Sequence, residues 1–131
     1  MLLAVAGKSD IDPLLLTKLA SGFCSGMART SGMCGAITGG ILALNLVLGR
    51  ETPSDSIEEN YKAVQKLIEK FEKRFCSTNC TELLHCDLGT DEGQERFREN
   101  ELFNRCREFT SEAASITIEI LKEAETEGGK P

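Results

Sequence analysis

A chain of 131 residues is long enough to close one domain around an apolar core, so its six cysteines are not required as staples. Only six Phe, one Tyr and no Trp accompany a composition rich in Leu, Ile, Ala, Glu and Lys, which favours helices and argues against a sheet protein. The net charge of −6 is uneven: residues 1–50 hold four Lys/Arg against two Asp/Glu and residues 51–131 eleven against nineteen, an acidic surface that repels phosphate backbones and speaks against nucleic acid as a partner.

The opening Met1–Gly7 segment, MLLAVAG, lacks a basic stretch and is too short for the apolar core of an export signal. A cytoplasmic setting is therefore expected, where thiols are kept reduced and clustered cysteines point to catalysis, redox sensing or metal binding rather than to a disulfide framework. Leu2–Ala6 reads as a short helical turn. Asp12 and Pro13 then make a start signal, a capping carboxylate followed by a residue suited to the first helical position. The spacing predicts a helix to about Met27, with Leu16, Leu19, Ala20, Phe23 and Met27 on one face and Ser21, Gly22, Ser25 and Gly26 thinning the other. Cys24 in this helix reads as a small buried hydrophobe.

The stretch Thr30–Gly49 is free of charge and apolar almost all round, so as a helix it must be surrounded by other elements. With Thr30 or Ser31 as its cap, Cys34 falls in the first turn, where exposed N–H groups and the helix dipole lower a thiol pKa. Gly35 and Gly39, and likewise Ala36 and Gly40, are spaced by four, leaving a bare face on which a neighbouring helix or a bound group can lie; Gly35 and Gly39 are thereby candidates to contact a cofactor. A membrane span is disfavoured, because five glycines and Asn45 dilute the run and the flanking segments are amphipathic.

Gly49 closes this helix, and Ser56 with Glu59 forms a capping-box pattern for the next. Ile57, Tyr61, Val64, Ile68, Phe71 and Phe75 recur at spacings of three and four, a stripe expected to face the core. In the segment from Phe75 to Thr90, Asn79 and Glu82 predict a short helix with Cys80 at its first position; Cys86 lies near its end, and Gly89 ends the turn. Cys76 and Cys80 straddle a helix break. His85, the single histidine, reads as solvated, and no paired C-x-x-C spacing of a zinc site occurs. Thr90–Glu101 is expected to be a loop or a ragged helix turn. A final helix from about Leu102 buries Leu102, Cys106, Phe109, Ala113, Ile116 and Ile120. The expected architecture is all-α: a single-domain bundle of four to five helices over residues 1–125 around the Gly-rich central helix, with a disordered tail at 126–131.

The order Cys34-Gly35-Ala36-x-x-Gly39, then NCTELLHCDL, then a cysteine in a last amphipathic helix resembles the C_GCAxxG_C_C family of redox-active proteins from about Leu19 to Ile120. The resemblance matches Cys34 to the family's CGAxxG cysteine, Cys80 to its C-x-x-L cysteine and Cys106 to its last one, while Cys86 fits a position often occupied by cysteine. The family pattern carries a further cysteine upstream, and none precedes Cys24 here, so a four-thiol site would need Cys24 or Cys76 as a substitute. The resemblance implies thiol or metal chemistry. Its leading form has Cys34, Cys80 and Cys106 as reactive thiols, or Cys34, Cys80, Cys86 and Cys106 as ligands of a thiolate-bound metal or iron–sulfur cluster, acting on a redox partner or small molecule that the sequence does not identify. The rival reading is a non-catalytic helical interaction module with dispersed structural cysteines and an exposed apolar patch; self-association into a homo-oligomer is left open.

Overall fold

The computed structural model describes residues 1–7 and 10–128. Among the described residues seven right-handed helices follow in order: α1 Leu2–Ala6, α2 Pro13–Ala20, α3 Gly35–Leu48, α4 Glu58–Phe75, α5 Cys80–Leu84, α6 Asp91–Glu99 and α7 Phe103–Glu127. The fold is all-α. Among the described residues the one extended contact is an isolated antiparallel bridge between Met33 and Asn79. Of the tail expected at 126–131, positions 129–131 lie outside the described residues.

The frame is three long helices, α3, α4 and α7, in pairwise contact, with α1 laid on α3. Helix α3 is the surrounded element that its charge-free sequence implies: Ile37, Ala43 and Leu44 are fully buried, as are Leu67 and Phe71 of α4 and Phe109 and Ala113 of α7. Burying the Ile, Leu and Phe side chains among them contributes about 1.5–3 kcal/mol each. Close approach is concentrated at Gly40, where a Cβ would lie 2.7 Å from Leu67 Cδ2 and 2.9 Å from Thr117 Oγ1. Phe71, Phe75 and Phe109 form a ring cluster, with the Phe75 and Phe109 centroids 4.9 Å apart and their planes near perpendicular, a favoured aromatic geometry. Asn60 Nδ2 donates to Asn45 Oδ1 at 2.9 Å, so the polar residue of the apolar helix has a partner. Lys66 with Glu123 and Lys70 with Glu119 pair across the exposed seam of α4 and α7. Helix α3 has 14 residues, about 21 Å at 1.5 Å per residue; no helix among the described residues is long and apolar enough to cross a membrane.

Four expectations are corrected. The helix expected to reach Met27 stops at Ala20 and gives way to a 3-10 turn at Ser21–Phe23 and then to the segment Cys24–Arg29. The small residues that were to thin one face instead break the helix, and Leu19, Phe23 and Met27 are exposed. In α4 the buried face is Asn60, Ala63, Leu67 and Phe71, so the stripe is rotated and Tyr61 is 51% exposed. The capping box is replaced by Ile57 at the N-cap, with Ser56 Oγ accepting a long 3.4 Å bond from the Glu58 N–H. Thr90–Glu101 holds not a loop or ragged helix turn but a regular nine-residue helix, α6, capped by Thr90, whose hydroxyl accepts from the Gly93 N–H at 3.0 Å. By contrast, the buried face of α7 carries Phe109, Ala113, Ile116 and Ile120 as expected.

Candidate functional site

The site is built where the chain entering α3 meets the chain entering α5. Across the Met33–Asn79 bridge, the Cys34 N–H donates to the Thr78 carbonyl at 2.8 Å and the Cys80 N–H to the Gly32 carbonyl at 3.0 Å. Residues 34 and 80 therefore lie on the same face of this short ladder as diagonal neighbours, a relation that places Cβ atoms about 7–8 Å apart or somewhat less. Asn79 holds the junction from both sides: its Oδ1 accepts from the Glu82 N–H at 3.1 Å, capping α5 as its sequence predicts, and its amide nitrogen donates to the Ser31 carbonyl. Ser31 Oγ in turn accepts from Thr81 Oγ1 at 2.9 Å and donates to Asp87 Oδ1 at 3.3 Å.

Cys34 is the N-cap of α3 rather than a residue of its first turn. The Ala36 and Ile37 N–H groups reach its sulfur and pull the thiol pKa down, but burial works harder in the other direction, and the net shift is upward. Cys80 opens α5 and is pushed up to about 11, first by burial and then by the neighbouring Cys34, Cys106 and Cys86 and by Asp87. Burial also raises Cys106, with Cys34 and then Cys86 adding to it, and raises Cys86, where Arg96 partly offsets it. The expectation of helix-start thiols with lowered pKa values is thus reversed: one turn of partial charge does not outweigh the loss of water around the sulfur.

Four of the six cysteines come together. Cys34, Cys80 and Cys86 belong to the apolar core and Cys106, from α7, packs against it. The charge of Cys34 adds to the upward shifts of both Cys80 and Cys106, so the three thiols feel one another. All six cysteines are free thiols, and Cys24 and Cys76 are exposed. Exposure of Cys24 corrects the buried hydrophobe expected of it: the helix that would have turned it inward has ended, and its Cα instead sits 3.3 Å from where a Cβ on Gly35 would stand. Cys76 occupies the left-handed C-cap of α4 at φ 66°, confirming the helix break before Cys80. Cys86 lies beyond α5, which ends at Leu84 with exposed His85 as its left-handed C-cap, earlier than the stop at Gly89.

Gly35 lies under Cys24, while a Cβ on Gly39 would meet nothing within 4 Å. Among the described residues no group of three or more Cys, His, Asp and Glu is placed to hold a metal ion. The four thiols as arranged do not fit a ready-made zinc or iron–sulfur centre, which needs three or four sulfurs converging on one point.

Sequence reading missed the cover of the site. Ser25, Gly26, Met27, Ala28 and Arg29 have φ between 51° and 67°, a left-handed turn that costs a side-chain-bearing residue about 1–2 kcal/mol. Gly26 is the one buried residue of the run, and a Cβ there would stand 2.5 Å from Cys80 Cβ and 3.2 Å from Cys80 Sγ. The available signal is Gly26 within a small-residue run, a pattern that fits a thin helix face as well as a turn.

Fold and site define a small all-α protein with four thiols gathered at one end of its helical frame. The family model described as “Putative redox-active protein (C_GCAxxG_C_C)” matches residues 1–120, and the chain belongs to that family. No curated protein and no solved structure matches it.

Proposed function

We propose that this chain is a dithiol–disulfide redox protein in which Cys34 is the attacking thiol and Cys80 resolves it, with Cys106 and Cys86 as further thiols of the same cluster. The observation that carries this reading is the ladder that seats Cys34 and Cys80 on one face. A pair suffices for this chemistry, whereas a metal centre needs a convergence that the described residues lack. The rival interaction module requires dispersed thiols, which this cluster is not, although the exposed Leu14, Leu15 and Leu19 supply the apolar surface it calls for.

The reaction runs against a disulfide in a partner protein or small molecule. Cys34, as thiolate, attacks one sulfur and forms a mixed disulfide, and the other partner sulfur leaves as thiolate. Cys80 then loses its proton and attacks Cys34 Sγ, releasing the second partner sulfur. The two protons given up by Cys34 and Cys80 end on the two partner thiolates, so the partner is reduced and the Cys34–Cys80 disulfide formed. Closing that bond requires Cα atoms within about 4.4–6.8 Å, a small inward movement for diagonal neighbours. The helix-start N–H groups of Ala36 and Ile37 are placed to support Cys34 as its charge develops. A cytoplasmic setting, where resting thiols are reduced, suits a protein that begins the cycle as a dithiol.

Native mass spectrometry of protein purified without oxygen, followed by peptide mapping after titration with glutathione disulfide, tests the reading. It predicts no bound metal and loss of two hydrogens with Cys34 joined to Cys80. In Cys80→Ser, Cys106 should take over as the partner of Cys34. A metal released on denaturation would replace this reading with a ligand site.

A further inference from the structure

We propose that the left-handed turn Ser25–Arg29 is a strained cap over Cys80, and that its lifting controls access to this thiol and to its ladder neighbour Cys34. The use of that access in catalysis rests on the dithiol reading above; the capping does not. Five consecutive residues hold φ between 51° and 67°, and four of them carry side chains. Those four, Ser25, Met27, Ala28 and Arg29, are exposed, so little side-chain burial repays the conformation. Gly26 alone is buried, seated on Cys80 so closely that a methyl group would overlap it. Beneath Gly26, Cys80 is only 7% exposed, and its ladder neighbour Cys34 only 8%.

The turn is fastened on both sides, and within it the Thr30 hydroxyl donates to the Met27 carbonyl at 2.9 Å. On one side Thr38 Oγ1 donates to the Phe23 carbonyl at 2.8 Å. On the other, the Gly26 carbonyl accepts from Thr30 and Gly32 N–H groups at 3.3 and 3.0 Å, and Ser31 is tied to Asn79, Thr81 and Asp87. Lifting the turn would let the four side-chain-bearing residues return to right-handed or extended backbone, so strain favours opening while the Gly26–Cys80 seat, the Thr30–Met27 bond and the fastenings on either side oppose it. Such a balance makes local opening easier than global unfolding, which is the condition for a gate.

The test changes the strain without touching a thiol. Glycine adopts positive φ without the steric penalty, so the double substitution Ser25→Gly with Ala28→Gly should favour the closed cap. Gly26→Ala should oppose it. In reduced wild-type protein, iodoacetamide labelling resolved by peptide should be fast at exposed Cys24 and Cys76 and slow at Cys34 and Cys80. The double variant should slow Cys34 and Cys80 a further 5- to 30-fold, with Cys76 unchanged and amide exchange slowed over residues 24–32 alone. Gly26→Ala should speed both buried thiols. If Gly26→Ala fails to fold, the double variant still decides. Labelling of Cys34 and Cys80 within twofold of wild type in the double variant, or slowing shared equally by α4 and α7, overturns the proposal. Because labelling needs no disulfide partner, failure of the cap and failure of the dithiol reading are separately visible.

Discussion

The α3–α4–α7 frame and the thiol end of this molecule are stabilised in opposite ways. The frame satisfies its local preferences: its helices are right-handed, their apolar faces meet, and Phe71, Leu67, Ile37, Leu44 and Phe109 are fully buried. At the thiol end, Ser25, Met27, Ala28, Arg29, Ser31, Cys76 and His85 all hold positive φ, and Cys80, its pKa shifted upward, sits under a one-glycine seat. A rigid frame bears the cost of an unfavourable backbone at the place where chemistry is proposed, the usual location for such strain.

Substitutions should separate the two regions. The largest effect belongs to the frame: Phe109→Ala removes a fully buried ring from the aromatic cluster and should cost about 3–5 kcal/mol by urea unfolding. Gly40→Ala forces a methyl group against Leu67 and Thr117 and should cost about 1–3 kcal/mol while leaving the labelling rate of Cys24 unchanged. Asn79→Ala removes the α5 cap and the tie to Ser31, for about 1 kcal/mol globally, but should raise Cys80 labelling well beyond what that loss explains, because the fastening of the cap goes with it. Equal changes in stability and labelling would erase the distinction between the regions.

The titration behaviour sharpens the same contrast. Cys80, ordinarily near 9.0, is raised to about 11 in the folded state. Unfolded chains lose this proton first, so the stability linked to it is complete below about pH 9 and falls as pH rises toward 11. Unfolding midpoints measured across that interval should decline less steeply in Cys80→Ser than in wild type. The smallest effect is expected for the exposed Lys66–Glu123 pair, whose removal should leave both midpoint and thiol labelling nearly unchanged.

Legibility in the sequence divides along the same line. The surrounded central helix, the α7 face from Phe109 to Ile120 and the Asn79 cap with Cys80 at the first helical position follow from periodicity and capping chemistry, both of which are local. The end of α2 was not legible, because a run of small residues such as Ser21, Gly22, Ser25 and Gly26 serves a thin helix face or a left-handed turn equally well. Only the seat of Gly26 on Cys80, a contact between residues 54 positions apart, selects the turn. The rotation of α4 was hidden because Tyr61 and Val64 fit the stripe as well as Asn60 and Ala63 do, and the polar Asn60 is buried through its bond to Asn45. The direction of the thiol shifts depended on burial, which helix position alone does not report.

The central claim is that Cys34 and Cys80 form the working pair, and the most direct measurement is peptide mapping of wild-type protein after one equivalent of glutathione disulfide under anaerobic conditions. The account predicts an intramolecular Cys34–Cys80 disulfide, with two equivalents of free glutathione released. Glutathione retained on exposed Cys24 or Cys76, with Cys34, Cys80, Cys86 and Cys106 all still reduced, would contradict it.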